Sequence, residues 1–328
     1  MLRGNEMTKV LIITNKNDIT SDFIVKRLQE RRISFYRFNT EELSTTCFLS
    51  IDYQKNIFLL VDRVLNQTFD LKQFRSVYYR RPELPRFSSN EMNIGEIQFL
   101  RNEFYFTLEG IYKILKDAYW ISPVYAIREA ENKIYQLELA KSLGFTIPNS
   151  LITNVFSDSL DFYDENGGCC IIKPIKSGLI EGKNGTEIVF TNSLSRRPNN
   201  KKQIEFLPNF FQKQIDKKFD IRVTIVGETI FATKIDSQQE QITKVDWRRG
   251  ERPLTHTKFE LPKELQELSV KLLKSLSLRF GAIDFIWDIN DNFIFLEINP
   301  NGQWAWIEKQ TGYKISDQIV DLLEYGMD

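Results

Sequence analysis

The sequence predicts an α/β protein, and three observations carry that prediction. A strand, a helix and a strand follow one another over residues 9–39. Amphipathic helices then separate apolar strand runs through the middle of the chain. Residues 281–300 finally read as a hairpin whose two strands each hold a carboxylate.

The elements are justified in order along the chain. "KVLIIT" (residues 9–14) is the short apolar run of a buried strand, "SDFIVKRLQERR" has helical spacing through Phe23, Ile24 and Leu28, and "ISFYRFN" is strand-like again. Two further apolar runs, "CFLSIDY" and "NIFLLVDRVL", lead to "SVYYRRPELPRF". A long helix is expected over residues 89–116, with Ile94, Ile97, Phe104, Leu108, Ile111 and Leu115 along its apolar side. The first unit closes near Pro123 and spans residues 1–123. A second unit, 124–209, opens with "REAENKIYQLELAKSLGFTIPNSLIT", a helix stopped by Gly144 and followed by Pro148 and a strand. "GGCCIIKPI" and "TEIVFT" are strands around the glycine-bearing "KSGLIEGKNG", and "SRRPNNKK" reads as a solvated loop. The third unit, 210–328, runs from "FFQKQI" through "DIRVTIVGETIFATKI", which turns at Gly227-Glu228. After the polar "DWRRGERP" come a helix over 263–275 and the closing hairpin "GAIDFIWDINDNFIFLEINP".

Composition bounds the function. With 42% hydrophobic and 13% aromatic residues, 328 residues suffice for several packed cores. Forty-four basic residues balance 44 acidic ones, so no global field draws the chain to nucleic acid or a membrane, and recognition has to be local. "MLRGNEMTKVLIIT" lacks the apolar run and small-residue cleavage site of a signal peptide, and the expected location is cytoplasmic. Cys47, Cys169 and Cys170 have no metal-ligand spacing and read as small strand hydrophobes. His256 is the sole histidine and reads as a surface residue, which disfavours histidine-based triads and zinc sites.

The closing hairpin carries the chemistry. A two-residue loop at Asn290-Asp291 pairs Ile289 with Asn292, and the constant sum of paired numbers then sets Asp284 opposite Glu297. Alternation puts Asn299 on the same face as Glu297. Opposed Cβ atoms lie about 4.5–5.5 Å apart, so two carboxylates there repel or share a proton unless a cation intervenes. Two carboxylates and an amide oxygen are hard ligands that suit Mg²⁺. On this reading Glu297→Gln relieves repulsion and slightly stabilises the metal-free fold. The competing reading is a solvent-facing strand pair with incidental acids, which the apolar neighbours in "AIDFIWD" and "FIFLEIN" weaken.

Other groups suit a nucleotide, although neither G-x-x-x-x-G-K-[ST] nor G-x-G-x-x-G occurs. Lys173 lies inside the apolar strand "IIKPI", where a charge is costly unless it meets an anion. Lys133 starts a helix, and a solvated lysine is the alternative. The loop with Gly178, Gly182 and Gly185 fits phosphates or a plain hairpin. Arg222 suits a transferring phosphoryl group, against a structural salt bridge to Asp220. Arg248 and Arg249, beside Trp247, suit a carboxylate, against a solvated loop.

In this order, "NKIYQLELAKSLGFTIP", "IIKPI", "FFQKQI", "DIRVTIVG", "AIDFIWD" and "FLEINPNGQW" resemble an ATP-grasp ligase over nearly the whole chain. The resemblance implies an ATP-grasp fold behind an N-terminal βαβ pre-domain. It implies ATP phosphates at Lys133 and Lys173, adenine along Gln212, Lys213 and Ile215, ribose near Asp220, and Mg²⁺ at Asp284, Glu297 and Asn299. Many members carry glutamate where Gln212 stands. "SVYYRRPELP", "DWR" and "NPNGQW" further resemble the ligases that make microviridins and other graspetides. That implies a macrocyclase acting on a ribosomal precursor peptide of leader plus core, with Arg222 at the acyl phosphate and Arg248 at the peptide carboxylate. A homodimer is open. The alternatives are a carboxylate–amine ligase acting on a free amino acid or small peptide, and a nucleotide-binding regulator without catalysis.

Overall fold

The computed structural model describes residues 9–87, 92–176, 178–182, 185–250 and 254–326. The expected start of the long helix at Ser89 and the end of "DWRRGERP" fall outside them.

The first stretch contains β1 (Val10–Thr14), α1 (Ile19–Glu30), β2 (Phe35–Asn39), β3 (Cys47–Asp52), β4 (Ile57–Asp62), β5 (Gln67–Asp70), β6 (Ser76–Tyr79), α2 (Ile94–Ile114) and β7 (Tyr119–Trp120). β2, β1, β6 and β7 form a parallel sheet in that order. β3, β4 and β5 make a separate antiparallel sheet. Helix α2 starts on a capping box in which the Asn93 side chain accepts from Glu96 N and Glu96 Oε2 accepts from Asn93 N. Ile94, expected on the apolar side, is 87% exposed, because the core contacts of α2 begin at Phe104 and its residues are buried only from Leu108 on.

The middle stretch contains α3 (Val124–Ala130), α4 (Lys133–Leu143), β8 (Ser150–Thr153), α5 (Phe156–Glu165), β9 (Cys170–Lys173), β10 (Leu179–Gly182), β11 (Gly185–Ile188), β12 (Asn192–Ser193), α6 (Lys201–Phe206) and β13 (Asn209–Lys213). Asn132 breaks the expected single helix into α3 and α4, its side chain accepting from Ile134 N and Tyr135 N. Gly144, at φ 101°, ends α4. β12, β9, β13 and β8 form one sheet, and β10 and β11 a hairpin of their own. Cys47 and Cys170 are buried, whereas Cys169, expected as a strand hydrophobe, is exposed because it precedes β9.

The last stretch contains β14 (Lys217–Val226), β15 (Thr229–Ile235), β16 (His256–Phe259), α7 (Lys263–Ser275), β17 (Phe280–Asp288), β18 (Phe293–Asn299), α8 (Ala305–Thr311) and α9 (Ile315–Tyr325). The five strands form an antiparallel sheet ordered β16-β15-β14-β17-β18. Alternation along β1 joins the two ends of the chain. Leu11 and Ile13 enter the core under α2, while Val10 and Ile12 pack with Val226, Trp304, Ile319 and Leu323. Among the described residues no helix is long and apolar enough to cross a membrane.

Candidate active site

The row of charges across the five-stranded sheet follows from register. Arg222 on β14 stands opposite Asp284 on β17, and Asp284 opposite Glu297 on β18. The pairing of the two carboxylates is the expected one, but the turn is not. Asp288 N bonds Asn292 O, so the loop holds three residues, with Asp291 in the left-handed region at φ 66°. The Asp288 carboxylate closes the loop by accepting from Asn290 N (2.9 Å) and Asn292 N (2.7 Å). That loop alone would slip the register by one residue and turn Glu297 to the other face. A bulge at Leu296 reverses the slip: Phe285 pairs with Phe295, Asp284 with Glu297, and the displaced Phe295 N–H donates to Thr146 O.

Each carboxylate has its own cation. Arg222 Nη1 meets Asp284 Oδ2 at 2.7 Å, and Lys133 Nζ meets Glu297 Oε2 at 3.0 Å while donating to Pro174 O. The expected Arg222–Asp220 bridge does not form. Asp220 instead accepts twice from Lys217 Nζ, at 2.7 and 2.9 Å, because Asp284 lies directly across from Arg222 on the neighbouring strand. Burial raises the pKa of Glu297, but Lys133, Lys173 and Arg248 more than offset it and bring it down to about 2. Asp284 goes the other way: burial raises its pKa and the Glu297 charge adds to that, against the pull of Arg222.

Asn299 completes the cluster. Its Nδ2 donates to Asp284 Oδ2 (3.0 Å) and Glu297 Oε1 (3.3 Å), so the three side chains converge on one point. A half-turn of the amide would set Oδ1 there, and three hard oxygens facing one another fit a divalent cation that keeps several waters. Lys173, at the end of β9, has its Nζ 4.5 Å from the centre of the Phe210 ring, and burial pushes its pKa down to about 8 against the pull of Glu297.

The remaining sequence-predicted residues are placed as follows. Arg248 grips Asp246 with two hydrogen bonds (2.8 and 2.7 Å) and lies near enough to Glu297 and Asp284 to feel both charges. Arg249 Nη2 donates to Thr191 O and Asn192 Oδ1, while its Nε is buried without a partner. Gln212 is buried and donates to Ser150 Oγ, Lys213 is exposed, and Ile215 is half-buried on the segment joining β13 to β14. β13 pairs with β9, so this hinge and Lys173 share a sheet. β10 and β11 pair as an antiparallel hairpin, and Gly178 ahead of it packs onto the Val189 carbonyl. His256, expected at the surface, is half-buried between Trp247 and Trp306, because β16 turns its imidazole toward α8.

Two positioning residues were not found in the sequence. Gln136 holds both main-chain groups of Ile298, between Glu297 and Asn299, through Nε2 to O (2.8 Å) and Oε1 from N (3.0 Å). Its signal was a glutamine one turn after Lys133 on an otherwise apolar helix face. Gly302 is required by space: a Cβ there would lie 2.7 Å from Arg222 Nη2 and 2.5 Å from Ala282 Cβ.

Comparison with known proteins agrees with this layout. A family model described as the MvdD pre-ATP grasp domain matches residues 9–128, and one described as the RimK-like ATP-grasp domain matches 130–323. Among solved structures, a RiPP-associated ATP-grasp ligase of Chryseobacterium gregarium, in complex with ADP and leader and core peptides, superposes with a TM-score of 0.88. It is 28% identical, with 97% of both chains covered. The macrocyclase MdnC of Microcystis aeruginosa MRC, bound with precursor peptide MdnA, has a TM-score of 0.85 at 28% identity, covering 97% of this chain and 99% of that one. A ribosomal protein bS6–L-glutamate ligase of Shigella flexneri serotype 5b is 23% identical over 256 residues, 76% of this chain and 80% of its own length. The chain belongs to the ATP-grasp ligases, with a RimK-like ATP-grasp domain following an MvdD-type pre-ATP-grasp domain.

Proposed function

We propose that the protein closes rings within a ribosomal precursor peptide, using ATP and Mg²⁺ to join Asp or Glu side chains to Ser or Thr hydroxyls or to Lys amines. The likeness to two peptide-bound ligases over 97% of the chain, pre-domain included, carries this reading. The glutamate-ligase alternative rests on relatives matched over 76% of it.

The chemistry needs no nucleophile from the enzyme. A peptide carboxylate oxygen attacks the γ-phosphorus of ATP, the bond to the β-phosphate breaks, and ADP leaves. The hydroxyl or amine then attacks the acyl carbon, loses its proton and expels phosphate, so the peptide loses one water for each ring. Catalysis therefore lies in positioning and in cationic groups. In this reading Lys133 and Lys173 bind phosphates, and Gln212, Lys213 and Ile215 line the adenine. Asp220, with Lys217 on it, lies toward the ribose. Arg222 stabilises the acyl phosphate and Arg248 holds the peptide carboxylate. Asp284, Glu297 and Asn299 would hold Mg²⁺, which when bound offsets charge on the transferring phosphoryl group.

The test is incubation with ATP, Mg²⁺ and candidate precursor peptides, starting with short neighbouring reading frames rich in Thr, Ser, Asp and Glu, followed by mass spectrometry. A loss of one water per ring, with ADP accumulating, supports the proposal. A gain of glutamate residues on a protein or peptide favours the alternative.

A further inference from the structure

The parallel sheet has a point of reversal that the site described above does not use. From β1 the chain goes to β2 on one side and later returns through β6 on the other. The carboxyl ends of β1 and β6 therefore diverge, which is where open α/β sheets bind ligands. Two arginines follow β6 at that point. Arg80 is 1% exposed: its Nε faces Asp18, and its Nη1 donates to Asn301 O (3.2 Å) and Gly302 O (3.0 Å). This pins the pre-domain to the loop that follows Asn299. Gly302 also lies against Arg222, so three guanidinium groups gather around one turn.

Their hydrogen bonding is incomplete. Arg80 Nη2 and Arg222 Nε are buried without a partner, which is costly unless a ligand supplies the acceptor. Arg80 is offset by Asp18 and Arg222 by Asp284, whereas among the described residues no ion pair reaches Arg81. Arg81 is also strained. It sits at φ 47° immediately before Pro82, a conformation that both its own Cβ and the proline ring disfavour, and its carbonyl is held there by Asn15 Nδ2 at 2.6 Å. Strain kept at an unpaired cation beside a reaction site points to a job for that side chain.

We propose that Arg81, backed by Arg80 and Arg222 and acting together with Arg248, binds the acidic side chain of the peptide awaiting phosphorylation and presents it to the row Arg222–Asp284–Glu297 from the pre-domain side. This rests on the peptide-ligase reading. A planar guanidinium holds a carboxylate through two parallel hydrogen bonds, which selects Asp and Glu over their amides. Arg80 is the positioning residue: it fixes the turn on which Arg81 stands relative to Gly302.

The test uses the full chain with Mg²⁺ and a non-hydrolysable ATP analogue. The probe is a labelled synthetic peptide rich in Thr, Ser, Asp and Glu, compared with a counterpart carrying Asn and Gln at the acidic positions. The wild type is expected to prefer the acidic peptide. Arg81→Gln should weaken that peptide by about 10- to 100-fold and leave the counterpart and the ATP affinity unchanged. Arg81→Lys should recover part of the loss. Arg81→Gly should lose as much as Arg81→Gln while its Tm stays at or above that of the wild type, because glycine accepts the left-handed backbone; a purely structural arginine would lower Tm instead. If Arg81→Gln keeps the preference, or weakens the nucleotide instead, the assignment of Arg81 falls and the peptide reading stands. If the wild type shows no preference, the peptide reading falls and takes this inference with it.

Discussion

Two charge clusters tie distant parts of this chain together, and they obey different rules. At the α1–α9 contact Arg31, 28% exposed, meets Asp317, Asp321 and Glu324, and Arg27 shares Asp317, so three carboxylates face two guanidinium groups. Across the sheet and α4, Arg222–Asp284 and Lys133–Glu297 are paired, Lys173 and Arg248 add cations nearby, and the four paired side chains are at most 17% exposed. Water screens the surplus negative charge of the first cluster, so it needs no balance. The second has little water, so each carboxylate has its own cation and an amide bridges the two. Charge that is compensated inside a protein marks where the chemistry of a site has been imposed on the fold; charge that is left unbalanced at the surface marks a joint.

The comparison breaks if a substitution in the row behaves like one at the surface. A large effect on both stability and turnover is expected for Gly302→Ala, which drives Arg222 away from Asp284. It should cost about 1–3 kcal/mol in denaturant unfolding and lower kcat by about tenfold or more. A variant with normal kcat would show that the position of Arg222 is not critical. Next is the stability of Glu297→Gln. Against the expectation that this change relieves repulsion stands the ion pair with Lys133 at 3.0 Å, which with Lys173 and Arg248 holds the Glu297 carboxyl down to about 2 and favours its charged form. Removing the charge should cost about 1.5–3 kcal/mol at neutral pH. A depressed carboxyl contributes stability above its unfolded pKa, about 4.3, and loses it as pH falls toward 2, so the gap between mutant and wild type should narrow over that window.

Lys173→Met is expected to weaken ATP about tenfold in calorimetry while the fold stays intact. Its stability should depend on pH in the opposite sense. Burial holds the Lys173 pKa near 8, below the ordinary lysine value of about 10.4, so the charged side chain costs stability below pH 8 and nothing above both values. The mutant should therefore gain over the wild type at neutral pH, and the gain should fade through the alkaline window. Smallest is Arg31→Ala, expected to change stability by less than about 1 kcal/mol, by an amount that shrinks with added salt, and to leave kcat alone.

Much of this was legible in local pattern. The span of α7 (Lys263–Ser275), the stop at Gly144, the turn at Gly227 and the opposition of Asp284 and Glu297 all follow from periodicity and turn chemistry within one segment. The carboxylate pairing was nonetheless reached through a turn one residue too short, and a bulge at Leu296, which leaves no local signature, makes the result hold. Partners that depend on distant strands were not readable. Arg222 faces Asp284 rather than Asp220 because β14 and β17 are neighbours, and Gln136 reaches Ile298 across 162 positions of sequence. The return of α8 and α9 onto α1 and the separate β3-β4-β5 sheet are likewise products of packing rather than of local pattern.

The central proposal is that the row across β14, β17 and β18 serves phosphoryl transfer beyond what its ion pairs contribute to the fold. The most direct measurement is ring formation by Glu297→Gln across a Mg²⁺ titration, followed by mass spectrometry, with peptide affinity measured on the same protein at a temperature where it is folded. The account predicts peptide binding close to wild type and ring formation reduced by about a thousandfold at every Mg²⁺ concentration. Turnover at the wild-type rate at ordinary Mg²⁺ would contradict it, and the metal reading of Asp284 and Asn299 would fall as well.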